Sequence, residues 1–103
     1  MGEFKKVADA SDVPPGTSTC VELDGEKVAL FNVAGTVHAI SDTCTHVGGP
    51  LSEGQVSETT VTCPLHGAVF DLTSGQVLGP PASSPVTCYQ VRVEGNDIQI
   101  AAS

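Results

Sequence analysis

Short runs of alternating or continuous apolar residues, each closed by turn formers, follow one another along this chain. "EFKKVAD" predicts an opening strand, which "SDVPPG" breaks and "TSTCVEL" resumes. Asp24-Gly25 is a two-residue hairpin signal between that strand and "EKVALFNV". Val28, Ala29, Leu30, Phe31 and Val33 put apolar groups on both faces, which predicts a central strand. Ala34-Gly35 turns the chain into "TVHAI". A short linking segment then leads to "TTVTC", a strand expected to deliver Cys63. "AVFDLTSGQVL" predicts a hairpin about Ser74-Gly75, and "CYQVRV" with "DIQIAA" a final hairpin about Glu94-Gly95-Asn96.

Two stretches follow neither period. "SDTCTHVGGP", Ser41 to Pro50, is rich in loop formers. "GPPASSP", Gly79 to Pro85, is a loop stiffened by three prolines. The sum is about nine or ten short strands with turn signals roughly every 6–12 residues and no helix, the pattern of a small antiparallel sandwich or barrel. No internal repeat is visible. The 103 residues fit one all-β domain.

Composition agrees with strands: there are fourteen Val and ten Thr. With 4% aromatic residues and no Trp, the core must be built mostly from Val, Leu and Ile. A net charge of −8 with four basic residues argues against nucleic acid, whose phosphates need Lys and Arg. It suits solubility, or steering toward basic partners. "MGEFKKVADA" lacks the apolar core of a secretory signal, no run reaches membrane-spanning length, and Lys6 stands where a myristoylation signal wants Ser or Thr. A cytoplasmic protein with reduced thiols is the expectation, so its four Cys point to metal binding or chemistry before disulfides.

The chemistry lies in two loops. "CTHVGG" places Cys44 and His46 one residue apart, and "CPLHG" places Cys63 and His66 two apart, giving C-x-H-x16-C-x-x-H. Gly48, Gly49 and Gly67 let the backbone approach a bound group and offer it amide donors. Two Cys and two His suit zinc or an iron–sulfur centre. A zinc finger usually has both Cys before both His, whereas here each loop supplies one of each. That order suits two metals, one held by both thiolates and the other by both imidazoles.

In "CTHVGGPLSEG" (Cys44 to Gly54) and "CPLHGAVFDLTSG" (Cys63 to Gly75) the chain resembles the Rieske [2Fe–2S] family, specifically its small bacterial ferredoxins. Strand order and the proline loop agree, so the resemblance covers nearly the whole chain. It implies a base domain of antiparallel strands and a cluster-binding lobe at about residues 42–70, covered by the loop at 79–85. It implies that Cys44 and Cys63 bind the inner iron, and that His46 and His66 bind the outer iron through Nδ1 near solvent. It also implies an electron carrier between two other proteins. These would be a flavin-dependent, NAD(P)H-oxidising reductase and the terminal oxygenase of an aromatic-ring-hydroxylating dioxygenase. The carrier is expected to be monomeric.

With two thiolates and two neutral imidazoles the oxidised centre is formally neutral, so it accepts an electron more readily than a four-Cys cluster. High-potential members of the family carry an extra Cys in each loop, where Gly49 and Leu65 stand here, so their disulfide cannot form. They also present Ser and Tyr hydroxyls to the cluster, where this chain has Ala68 and Phe70. Fewer hydrogen bonds to sulfur stabilise the reduced centre less. The expected potential is near the low end of the Rieske range, about −150 mV.

Cys20, Cys88 and His38 read as ordinary strand residues. With three His in the chain and two assigned to the cluster, no two-His-one-carboxylate iron site can be built, and no G-x-G-x-x-G dinucleotide fingerprint is present. Two alternatives to the carrier stand: the Rieske small subunit of an NADH-dependent nitrite reductase, and a zinc-stabilised interaction module without redox chemistry.

Overall fold

The structure, a computed structural model, describes residues 4–23, 25–42, 50–64, 67–79 and 85–102. Ten strands run in chain order: β1 (Lys5–Asp9), β2 (Ser18–Leu23), β3 (Glu26–Val33), β4 (Thr36–Ser41), β5 (Gln55–Ser57), β6 (Thr60–Thr62), β7 (Val69–Asp71), β8 (Val77–Gly79), β9 (Cys88–Glu94) and β10 (Asp97–Ala102). Single 3-10 turns follow β1 (Ala10–Asp12) and precede β5 (Leu51–Glu53). The strands form two antiparallel sheets: a large one in the order β1-β10-β9-β4-β3-β2 and a small one in the order β5-β6-β7-β8. The edge strands β1 and β2 come into contact, curling the large sheet almost into a barrel.

Turn chemistry sets the registers. Leu23 pairs with Glu26 across the Asp24-Gly25 corner. Val33 pairs with Thr36 across Ala34-Gly35, where both residues have positive φ (54° and 95°), as a type I′ turn requires. Glu94 pairs with Asp97 at the last hairpin. All three corners were expected from sequence. The strand β5 and the turn before it were not: Gln55–Ser57 is exposed throughout, so its residues show no apolar alternation.

Strand β3 lies between β4 and the edge strand β2, one in from the edge rather than at the middle of the sheet, and its two faces feed two cores. Val28 and Leu30 join Val13, Ala39, Ile98 and Ile100 inside the curl of the large sheet. Ala29 and Phe31 join Ile40 and, from the other part of the chain, Leu51, Val61, Cys63, Ala68, Phe70, Leu72 and Val86. The second core fastens the small sheet to the large one and places Cys63 where the two meet.

Candidate metal centre

Cys63 follows β6 directly. Beyond the last ladder pair of β6 and β7, Thr62 with Val69, the Cys63 amide donates to the Ala68 carbonyl at 2.7 Å and the Gly67 amide donates to the Cys63 carbonyl at 3.0 Å. These bonds close a tight loop over residues 63–68. Gly67 has φ +77° with no atom near the place a Cβ would occupy, so backbone conformation alone calls for glycine there. The Cys63 side chain is buried, 2% exposed, among apolar neighbours, and among the described residues its Sγ has no hydrogen-bond partner.

Cys44, His46 and His66 lie outside the described residues, and so does most of the proline loop, 80–84. What is described on the Cys44 side is where that segment starts and ends. Asp42, 5% exposed, accepts the Leu51 amide at its main-chain carbonyl (2.6 Å) and the Ser52 amide at Oδ1 (2.7 Å). The turn after it packs against β6, because a side chain on Gly54 would run into the Thr62 carbonyl oxygen. Glu53, Gln55, Thr62, Cys63, Pro64 and Gly67 then line one cavity of about 370 Å³. The chain shortly after the first loop and the Cys63 loop therefore share the wall of one cavity.

The remaining thiols and His38 sit elsewhere. Cys20 on β2 is exposed as a residue, yet its sulfur lies 3.5 Å from Asp42 Oδ2. Local burial and then that carboxylate push its thiol up. Cys88 on β9 donates to the Thr73 carbonyl at 3.5 Å, and burial, then Asp71, push it up as well. Both lie within strands, as their sequence context suggested. His38 on β4 is half-buried, and burial pulls its imidazole down against the opposing charge of Asp71. Sequence reasoning missed Asp42. An acid at the start of a loop reads as solvated charge, and only the fold shows it buried.

The donor set fits an iron–sulfur group. A buried thiol in apolar surroundings is suited to a metal-bound thiolate, which the metal deprotonates. Gly67 leaves backbone close at hand in the loop after it, and the paired Cys and His types match a mixed-ligand centre.

Residues 3–90 match the Rieske [2Fe-2S] domain. The chain is 45% identical over 91 residues, 87% of its own length and 85% of the relative's, to the 3-phenylpropionate/cinnamic acid dioxygenase ferredoxin subunit of Shigella boydii serotype 4. Its fold matches a chain in the complex of reduced oxygenase and oxidized ferredoxin of carbazole 1,9a-dioxygenase, with a TM-score of 0.87, 33% identity and coverage of 95% and 92% of the two chains. It also matches a protein assigned as the small subunit of an NADH-dependent nitrite reductase from Mycobacterium tuberculosis, with a TM-score of 0.89, 29% identity and coverage of 100% and 97%. This chain belongs to the Rieske [2Fe–2S] family, and its cofactor is a Rieske-type [2Fe–2S] cluster.

Proposed function

We propose that the chain is a Rieske ferredoxin that carries single electrons from a flavin-dependent NAD(P)H-oxidising reductase to the terminal oxygenase of an aromatic-ring-hydroxylating dioxygenase. The observation that carries this reading is the 45% identity to a dioxygenase ferredoxin subunit over most of both chains. The cluster supplies one-electron redox chemistry. Cys44, His46, Cys63 and His66 would hold it, and the chain's own residues do the rest. The loop at 63–68 fixes Cys63, the apolar core excludes water beneath it, and the surface near it meets the partner. Residues 28–91, which include both loops, contain no Lys or Arg. That segment suits brief docking on a basic patch. Among the described residues no helix is long and apolar enough to cross a membrane.

The likeness to the nitrite reductase subunit keeps a second reading in view, the same carrier chemistry inside a larger reductase. Purified protein is examined by visible absorption before and after dithionite, with iron and sulfide assayed. It is then added to the reductase and oxygenase of an aromatic dioxygenase with NADH. A red-brown colour that bleaches, equal iron and sulfide, and NADH-driven product formation are expected. A stable complex with a large sirohaem subunit would move the assignment to nitrite reduction. A colourless protein with one zinc would end both.

A further inference from the structure

We propose that Asp42 is a positioning residue for the cluster, clamping together the two ends of the segment that carries Cys44 and His46; this rests on the ligand set proposed above. The chain enters that segment at Asp42 and is described again from Pro50. Two successive amides on the far side converge on this one residue: Leu51 on its carbonyl at 2.6 Å, Ser52 on its Oδ1 at 2.7 Å. The first bond needs only backbone. The second needs a side-chain acceptor at position 42, and a partly buried amide left unmatched is unfavourable.

Asp42 is itself held to the large sheet. Its amide donates to the Lys27 carbonyl at 3.0 Å, and its Oδ2 accepts the Cys20 thiol at 3.5 Å. The Ser18 hydroxyl donates to the Ser52 carbonyl at 2.6 Å. Ser18 and Cys20 are two apart on β2 and share a face, so that face grips both ends of the segment. The Cys63 loop, by contrast, closes on β6 and β7 of the small sheet. The segment that begins at Asp42 thus starts from β4 of the large sheet and ends just before β5 of the small one. Through Asp42 the start of the segment on the large sheet is tied to its end, where Leu51 is buried in the same core as Cys63. Replacing residues that hold metal ligands in place through hydrogen bonds typically costs about 10- to 100-fold in metal affinity or activity.

The test compares cluster-loaded wild type, Asp42→Ala and Asp42→Asn. Three quantities are measured: the rate at which visible absorbance is lost to an iron chelator, the EPR g-values after dithionite, and far-UV circular dichroism. Asparagine keeps the Oδ1 acceptor and should hold the cluster as wild type does. Alanine should lose it about ten-fold faster, with shifted or broadened g-values and an unchanged strand spectrum. A wild-type rate and signal in Asp42→Ala overturn the proposal. So does equally fast loss in Asp42→Asn, which would assign the effect to charge. If Asp42→Ala does not fold, Ser18→Ala takes its place: faster loss supports the clamp, the wild-type rate overturns it. A wild-type chain without the mixed-ligand signal overturns the ligand set and the clamp with it.

Discussion

The Val86 amide donates to the Gly75 carbonyl at 2.9 Å, and a β-carbon on Gly75 would collide with the Val86 carbonyl oxygen. This contact ties the chain leaving the proline-rich segment to the β7–β8 turn. Gly75 also has φ +78°, so two independent reasons call for glycine. Gly75→Ala should destabilise the protein by about 2 kcal/mol or more, lowering the thermal midpoint by about 10 °C. Gly95→Ala has a positive φ but open space around it, so it should lower the midpoint by only about half as much. Equal effects of the two substitutions would show that the Val86 contact has no energetic weight.

His38 gives the stability a pH dependence of known sign. Its folded pKa is lowered by burial from an ordinary 6.5. Between that value and the lower folded one, the unfolded chain binds more protons. Stability is therefore fully present above pH 6.5 or so, falls as the pH drops through that window, and levels off below the folded pKa. The difference in thermal midpoint between wild type and His38→Gln, followed from about pH 8 to about pH 5, should shrink on the acid side. A difference independent of pH would remove His38 as its source.

The strands of this protein were legible because their turns are. Asp24-Gly25, Ala34-Gly35 and the Gly95 corner each fix a register, and Val28 to Phe31 announce a strand buried on both faces. The family was legible because no common alternative uses one Cys and one His per loop. Strand β5 was not, because all three of its residues are exposed and it is held by pairing with β6 rather than by burial. Asp42 was not either. Its role comes from amides ten residues ahead and a thiol on β2, contacts that no local pattern encodes.

The two cores should fail differently. Phe70 is fully buried in the core that holds Cys63, whereas Ile98 belongs to the core inside the large sheet. Phe70→Ala should destabilise by about 3–5 kcal/mol and Ile98→Val by about 1 kcal/mol. The first should also release iron at temperatures where far-UV circular dichroism still reports strands. The second should lower the melting temperature with the visible spectrum unchanged up to unfolding. Cluster loss that simply tracks stability in both variants would mean that the cores are one cooperative unit.

Glu53 lines the cavity beside Cys63 in a segment without cations. If this end docks on a basic patch, Glu53→Lys should slow electron transfer to the oxygenase several-fold at low ionic strength, on the order of 3- to 10-fold. It should also flatten the dependence on salt, because exposed charges act only within a Debye length of about 10 Å at 0.1 M salt. Wild-type rates at every salt concentration would place the docking surface elsewhere.

Ala68 offers the most direct handle on the potential. Its carbonyl accepts the Cys63 amide at 2.7 Å and its side chain is fully buried, so the residue is locked across the loop from the thiol. A methyl group gives sulfur nothing to bond to. A hydroxyl there would donate a hydrogen bond, stabilise the reduced state more than the oxidised one and raise the potential. The wild-type protein should sit at about −150 mV, with Ala68→Ser above it and the EPR g-values unchanged as a check that the ligands are the same. A wild-type potential well above zero would mean that donors other than these hydroxyls set it. An unchanged value in Ala68→Ser would mean that position 68 does not face the sulfur at all.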